Sequence, residues 1–310
     1  MQYQAKERTP GASSLKSAAL RFVILIGIVS LFADMTYEGA RSVTGPFLGT
    51  LGASAAIVAT VAGFGELVGY GIRLLSGTWA DRTRRYWGIT LAGYVVNMLA
   101  VPALALAGSW QVAALLMIAE RAGKGTRNPP RDVMLSQASS EIGRGFAFGL
   151  HEALDSLGAT IGPLIVAAVL AVRGDYRAAF AALLVSAVLA LVVLIGARIS
   201  FPSPHRFEAE TAPTADTRFP RAYWIYLAGV ILVGAGYADF PLIAYHFQQA
   251  AIAPVDWIPL LYAVAMAVSA VAAFLFGRLF DRTGCRSWPA SRSSRRSSPR
   301  WSSLGASRWH

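Results

Sequence analysis

The stretch GTWADRTRRY, residues 77–86, decides the fold, because an aspartate and three arginines stand there between two long apolar runs. Such a dense group of charges cannot lie in lipid, where each unpaired charge is costly. The stretch therefore predicts a tight aqueous turn between two membrane spans. Its arginines predict that the turn is cytoplasmic.

The same pattern returns in the second half of the chain. Asp81 in GTWADRTRRY and Asp281 in GRLFDRTG lie 200 residues apart, and both follow a glycine by four residues and precede an arginine. A second repeated motif, or echo, is FAD, which ends at Asp34, and YAD, which ends at Asp239. Two echoes in the same order predict a duplicated membrane domain.

The composition is that of a polytopic membrane protein. Of the 310 residues 55% are hydrophobic and 15% are charged, whereas soluble domains carry about 25% charged residues. The net charge of +11 is explained by basic cytoplasmic loops and an arginine-rich tail, so we expect a lipid bilayer and no nucleic acid as partner. Since Cys285 is the one cysteine, a disulfide or a cysteine-based metal site in the body is excluded. We expect no metal and no cofactor.

The apolar runs predict eight spans, each near the 20 residues that a bilayer requires. They cover residues 20–47, 53–76, 87–107, 110–127, 145–171, 177–198, 221–248 and 256–277. Basic connections alternate with nearly neutral ones, which predicts an integral plasma (inner) membrane protein with a cytoplasmic N-terminus. The predicted domains are an N-terminal segment 1–19, a six-helix bundle 20–199, a cytoplasmic linker 200–220, two helices of a second bundle 221–284, and an Arg/Ser-rich tail 285–310.

The repeated G-x-x-x-D-R pattern resembles the signature loop of the major facilitator superfamily. The resemblance covers about residues 20–284 and implies an all-α helical bundle with about eight of the usual twelve transmembrane helices. It also implies a fourth-helix R-x-x-x-G motif. The residues that it assigns to the gate and signature loop are Gly77, Asp81, Arg82, Arg85, Arg121, Gly125, Gly277, Asp281 and Arg282.

The chain departs from the family pattern at Arg84, where glycine is usual, and this puts the geometry of the turn in question. Gly158, Gly162 and Pro163 resemble the fifth-helix antiporter motif, although Val166 replaces its last glycine. The same small residues are also explained by close helix packing. Two further expectations concern the fourth span: its paired prolines, residues 129–130, end the helix, and Lys124, Arg127 and Arg131 are cytoplasmic anchors.

Charged residues inside spans predict a pathway for substrate or protons. The candidates are Asp34, Glu38, Arg41, Glu66, Arg73, His151, Glu152, Asp155 and Asp239. The repeat predicts that Asp34 faces Asp239 across a pseudo-twofold axis. The alternatives are structural: a Glu38–Arg41 pair and an ion pair of Glu66 with the first span.

His151, Glu152 and Asp155 superficially resemble the H-E-x-x-H zinc helix. The second histidine is absent, so a hydrolytic zinc site is not expected. His151 and Asp155 are four residues apart and could instead share a proton.

These features predict a secondary active transporter that moves a small solute or ion by alternating access, with proton coupling. Efflux or antiport, and a cation as substrate, are slightly favoured, because several carboxylates are expected to face the pathway. One alternative is a non-transporting remnant, because four family spans are absent and Asp239 and His246 would then face lipid or a gap.

A membrane enzyme would need a clustered nucleophile and base, so we expect no enzyme. Three explanations are considered for the tail, residues 285–310. It is the product of translation in a wrong reading frame, an RNA-binding segment, or a basic segment that contacts lipid headgroups.

Overall fold

The computed structural model describes residues 12–202, 221–235 and 239–283, and this part of the chain contains helices and no strand. The predicted all-α class is therefore confirmed. The helices are α1 Ala12–Thr50, α2 Ala55–Thr83, α3 Tyr86–Ala103, α4 Trp110–Ile142, α5 Arg144–Arg173, α6 Tyr176–Ala182, α7 Leu184–Ser200, α8 Arg221–Ala235, α9 Phe240–Gln249 and α10 Trp257–Thr283. A short 3₁₀ turn, Leu104–Leu106, extends α3.

The chain divides into two compact units, residues 1–267 and residues 268–310. In the second unit the described residues are the last part of α10. Several expectations fall outside the described residues: most of the linker, the tail with Gly284 and Cys285, and residues 237–238 of the YAD echo. The backbone of Gly277, Asp281 and Arg282 belongs to α10, but their side chains are outside the described part.

Five helices in the described part are long and apolar enough to cross a membrane: Leu15–Thr50, Ala55–Thr83, Tyr86–Leu106, Arg144–Arg173 and Tyr176–Ser200. The last of these combines α6 and α7. A further apolar stretch, Trp257–Ala272, is shorter. The predicted fourth span, α4, is long enough but is not one of the five, because charged side chains recur along it. Most of these side chains are buried or half-buried in the bundle rather than exposed to lipid.

The turn predicted at residues 77–86 is much shorter than expected, because α2 continues to Thr83. Arg84 ends the helix in the left-handed conformation (φ 53°), and its amide donates to the carbonyl oxygen of Ala80. Arg85 follows, and α3 begins at Tyr86. Arginine thus adopts the conformation that usually favours glycine, and only two residues separate the helices.

The expectation that the paired prolines end the fourth helix is wrong. Pro129 and Pro130 lie inside α4, which continues to Ile142 and ends at Gly143 (φ 97°). Pro129 packs against Gly77 of α2. Tertiary packing thus holds a helix through two residues that disfavour it locally.

Small residues allow close contacts between helix backbones. This agrees with close packing, one of the two explanations that the sequence offered for Gly158 and Gly162 of the fifth helix. A Cβ at Gly158 or Gly162 would clash with carbonyl oxygens of α1. A Cβ at Gly125 of α4 would clash with the carbonyl oxygen of Gly69 in α2. These contacts fix α1 against α5 and α2 against α4.

The predicted seventh span, residues 221–248, is not one continuous helix. The helix α8 ends at Ala235, and Asp239 caps a new helix by accepting a hydrogen bond from the amide of Phe240 at 2.9 Å. Pro241 contacts Gly45 of α1, and the ring of Tyr245 contacts Gly49. The expectation that this region faces lipid or a gap is therefore wrong for Asp239 and for the contacts of α9 with α1, whereas His246 is exposed.

The apolar core forms two clusters that meet α1 at different levels. One contains Phe22 and Ile26 of α1, and the other contains Val43 and Phe47. Between them α1 carries the buried polar side chains of Asp34, Thr36, Tyr37 and Glu38. The packing of the helices thus places a polar layer between two apolar ones.

Candidate functional site

Charged side chains from α1, α2 and α4, with Asp239 before α9, meet around a cavity of about 590 Å³. It is lined by Tyr37, Arg41, Gly63, Glu66, Gly69, Tyr70, Arg73, Arg121, Lys124, Gly125 and Asp239. Four of the predicted pathway residues, Arg41, Glu66, Arg73 and Asp239, thus lie together. Two residues assigned to the gate, Arg121 and Gly125, also line this cavity.

Arg41 joins α1 to the start of α9. Its guanidinium donates a short hydrogen bond to Oδ1 of Asp239 and lies 3.6 Å from Oε1 of Glu66. The expected Glu38–Arg41 pair is therefore replaced by contacts across the bundle. The expectation that Asp34 faces Asp239 is also wrong in this structure, since Asp239 pairs with Arg41.

Arg121 bridges two carboxylates. Its Nη1 lies 2.7 Å from Oε1 of Glu66, and its Nε lies 3.5 Å from Oε2 of Glu120. Glu120 is buried and accepts a hydrogen bond of 2.7 Å from the amide of Asn97. The predicted ion pair of Glu66 with the first span is present through Arg41, but α4 supplies the shorter contact.

Three basic groups surround the ring of Tyr37. The distances to its centroid are 3.4 Å from Nζ of Lys124, 4.9 Å from the Arg121 guanidinium and 5.9 Å from that of Arg41. An aromatic face attracts cations through its quadrupole. Tyr37 therefore holds these groups together without neutralising their charge.

Glu38 lies behind the cavity wall and connects α1 to α10. The hydroxyl of Tyr262 donates to Oε2 of Glu38 at 2.6 Å, and Nζ of Lys124 lies 4.0 Å from Oε1. Glu38 is 9% exposed. It therefore serves contacts between helices rather than the cavity surface.

Asp34 belongs to a separate buried group. Nη2 of Arg127 lies 3.6 Å from Oδ1 of Asp34, and the carboxyl group of Asp155 lies close to that of Asp34. Arg127 is 1% exposed and stacks on Tyr94 at 4.3 Å. The interpretation of Arg127 as a cytoplasmic anchor is therefore wrong: it is a buried counter-charge.

His151 extends this buried group. Its Nε2 is 2.8 Å from Oγ of Ser30, which also accepts a hydrogen bond of 3.1 Å from Arg131. Arg131 is thus a second buried arginine and not a surface anchor. Glu152 is exposed on the other face of α5. Within residues 12–202, 221–235 and 239–283, no three His, Cys, Asp or Glu side chains are grouped as metal ligands.

The remaining residues of the signature loop are separate from the cavity. Asp81, Arg82 and Arg85 are exposed at the end of α2 and the turn after it. Arg121 lies beside Gly65 and Gly69, about 18 Å along α2 from Asp81 at 1.5 Å per residue. The structure therefore places Arg121 with the cavity group rather than with the loop.

The sequence reasoning missed several contacts of this site: Ser30, Tyr37, Asn97, Glu120, Lys124, Arg127, Arg131 and Tyr262. Four of these residues share a signal in α4. Glu120, Lys124, Arg127 and Arg131 follow one another at intervals of four, three and four residues, which places them on one helix face. That periodicity could have identified an inward-facing charged stripe.

Known proteins resemble this chain in sequence. The profile of the Major Facilitator Superfamily matches residues 23–293. An uncharacterized protein of Mycobacterium tuberculosis is 40% identical over 283 residues, which are 89% of this chain and 69% of that protein. An uncharacterized MFS-type transporter of Methanocaldococcus jannaschii is 29% identical over 141 residues, 45% of this chain and 35% of the transporter.

Solved structures resemble it in fold. A bacterial homolog of the human lysosomal transporter Spinster, inward-facing and unoccupied, superposes with a TM-score of 0.66 at 16% identity, over 87% of this chain and 64% of that one. A peptide transporter, POT, in complex with alafosfalin superposes with a TM-score of 0.62 at 15% identity, over 90% of this chain and 73% of that one. The chain thus spans a little under two thirds of the Spinster homolog.

The sequence match covers most of the chain, and the superposition extends the agreement to the helical bundle. Both agree with the G-x-x-x-D-R repeat and with the apolar helices, and the family is one of transporters rather than enzymes, as the sequence predicted. The chain therefore belongs to the major facilitator superfamily and is an integral membrane protein.

Proposed function

We propose that this chain forms the solute-binding part of a secondary transporter that works by alternating access. The observation that carries the proposal is the cavity among α1, α2 and α4, which Arg41, Glu66 and Arg121 line. Charged groups inside a membrane protein are costly and usually mark a pathway. Family membership supports the same conclusion.

We propose that protons drive the transport through Asp34 and Asp155. Their carboxyl groups lie close to each other in the buried group, and two adjacent carboxyl groups can share one proton. Arg127 lies beside Asp34 and on the same helix as Lys124 of the cavity. The loading of a proton on this pair can therefore change the charge balance next to the solute site.

The contacts between α1 and α9 support a gate at the end of α1 that the basic-loop pattern predicts to be extracellular. The Arg41–Asp239 ion pair and the packing of Gly45 on Pro241 hold this end together. We propose that these contacts separate when the site opens to the outside. The exposed charges of Asp81, Arg82 and Arg85 remain a predicted cytoplasmic gate.

That the transporter is an antiporter, and that it lies in the inner membrane, are predictions from the sequence. Antiport is favoured by the number of carboxylates predicted to lie near the pathway. Glu66 and Asp239 are paired with arginines in the cavity, so their charges are already balanced. The number of carboxylates is therefore not enough to favour the exchange of a proton for a cation.

Proton coupling can be tested with Asp34→Asn and Glu38→Gln in proteoliposomes. Proton movement is followed with a trapped pH-sensitive dye while panels of small organic anions and cations are supplied. We expect Asp34→Asn to abolish solute-dependent proton movement, because an amide cannot exchange the proton. Glu38→Gln should only weaken it, because glutamine can still accept the Tyr262 hydroxyl.

Size-exclusion profiles and thermal unfolding of both variants serve as controls for folding. If correctly folded Asp34→Asn supports normal solute-coupled proton movement, Asp34 has no part in the mechanism. If no solute moves through the wild-type protein while its folding is intact, the transport proposal is contradicted.

A further inference from the structure

The cavity presents more basic than acidic groups. Its charged lining consists of Arg41, Arg73, Arg121 and Lys124 against Glu66 and Asp239. Both acids are already engaged, because Asp239 pairs with Arg41 and Glu66 pairs with Arg121 and Arg41. Arg73 and Lys124 are therefore the cations that remain for a ligand.

Arg73 has no carboxylate partner in the part of the chain that the structure describes. Its guanidinium lies over the ring of Tyr70 at 5.2 Å, and the side chain is exposed. A planar guanidinium in this position can donate two parallel hydrogen bonds to a carboxylate or a phosphate.

Lys124 is only partly neutralised. Its Nζ lies 4.0 Å from Glu38, whose carboxylate already accepts the shorter bond from Tyr262, and 3.4 Å from the centre of the Tyr37 ring. The other nearby acid, Glu120, is buried behind the wall and bonded to Asn97. A cleft lined by one sign of charge concentrates ions of the opposite sign.

We propose that the cavity binds a small anion, a carboxylate- or phosphate-bearing solute, with Arg73 and Lys124 as its two anchoring cations. The rings of Tyr37 and Tyr70 supply apolar faces for the rest of the molecule. The inference rests on the proposed function, since it gives the substrate class of the same cavity. It replaces the cation that the carboxylate-rich sequence favoured.

The test measures how added anions change the Tm of the purified protein. Citrate and inorganic phosphate are titrated at constant ionic strength, with tetraethylammonium chloride as the cationic probe. Because citrate and phosphate also stabilise proteins generally, the signal is the difference between wild type and variants. We expect Arg73→Gln and Lys124→Gln each to raise the apparent Kd for citrate about tenfold, the loss of one charge-assisted hydrogen bond.

Two variants serve as controls. Arg173→Gln removes a positive charge from an exposed position at the end of α5, outside the cavity lining, and should leave the Kd within about twofold, since exposed charges are screened by salt. Arg73→Lys keeps the charge and should recover part of the affinity. Equal anion responses in wild type, Arg73→Gln and Lys124→Gln would overturn the proposal.

A lipid headgroup could supply the same chemistry, so the protein is also placed in nanodiscs of phosphatidylglycerol or phosphatidylcholine. Stabilisation by phosphatidylglycerol, with no saturable response to citrate or phosphate, would overturn the assignment of a solute. Transport separates this proposal from the one on which it rests. Saturable anion binding without flux contradicts the transporter, whereas tetraethylammonium flux without anion binding contradicts the anion site.

Discussion

At the scale of single residues, the charges of this site are arranged so that most have a counter-charge on another helix. Arg121 lies between Glu66 and Glu120, and Arg127 lies beside Asp34. Removing one partner of such a pair leaves the other as a poorly solvated charge, which is more destabilising than losing an exposed pair. The surroundings of each glutamate therefore decide the effect of its substitution.

Glu66→Gln should lower the stability of the protein by about 1–2 kcal/mol, because it removes the charge opposite Arg121 and Arg41. This corresponds to a fall of about 2–8 °C in the Tm measured in detergent. Glu152→Gln makes the same chemical change at an exposed position of α5. It should stay within about 0.5 kcal/mol of wild type. Equal falls in the two variants would show that the Glu66 contacts add no stability.

At the scale of helices, the bundle depends on positions where backbones approach closely. The contact of Gly125 with Gly69 brings α4 against α2, and Arg121, one turn before Gly125, then reaches Glu66. Gly158 and Gly162 do the same for α5 against α1, next to Asp34 and Asp155. Close packing and placement of the charged groups thus come from the same residues.

Gly125→Ala should destabilise the protein by about 1–3 kcal/mol, because its methyl group would meet the backbone of α2 and force the helices apart. Gly71→Ala is the matched control, since it lies in α2 with nothing within 4 Å of the added carbon. It should be neutral or stabilise by up to about 1 kcal/mol. Thermal unfolding of both variants in one detergent measures the difference. A Gly125→Ala variant as stable as Gly71→Ala would disprove the close contact.

At the scale of the whole molecule, the basic connections predict the orientation of the chain in the membrane. The two-residue turn between α2 and α3 is arginine-rich, whereas the connection between α3 and α4 carries no charge. Positive loops stay in the cytoplasm. The long, charged α4 would then run from an extracellular start at Trp110 to a cytoplasmic end at Ile142.

Cysteine labelling tests this orientation in a Cys285→Ser background. Ser109→Cys, at the start of α4, should react with a membrane-impermeant maleimide added to intact cells. Ser140→Cys, exposed near the end of α4, should react only after permeabilisation. Both substitutions are mild, because Ser109 makes no side-chain capping bond and the described contact of the Ser140 hydroxyl is with the carbonyl oxygen of Gln137, within the same helix. The reverse labelling would invert the topology.

The sequence by itself determined the helical membrane class, the family and the involvement of α1 in the site, because hydropathy, charge and the repeated aspartate-arginine motif are local properties. Only the tertiary structure decided which charges pair. Arg41 and Asp239 are 198 residues apart, and helical periodicity shows that a residue lies on a face but not which helix lies opposite. The continuation of α4 through Pro129 and Pro130 was likewise decided by packing, since the local preference of proline predicts the opposite.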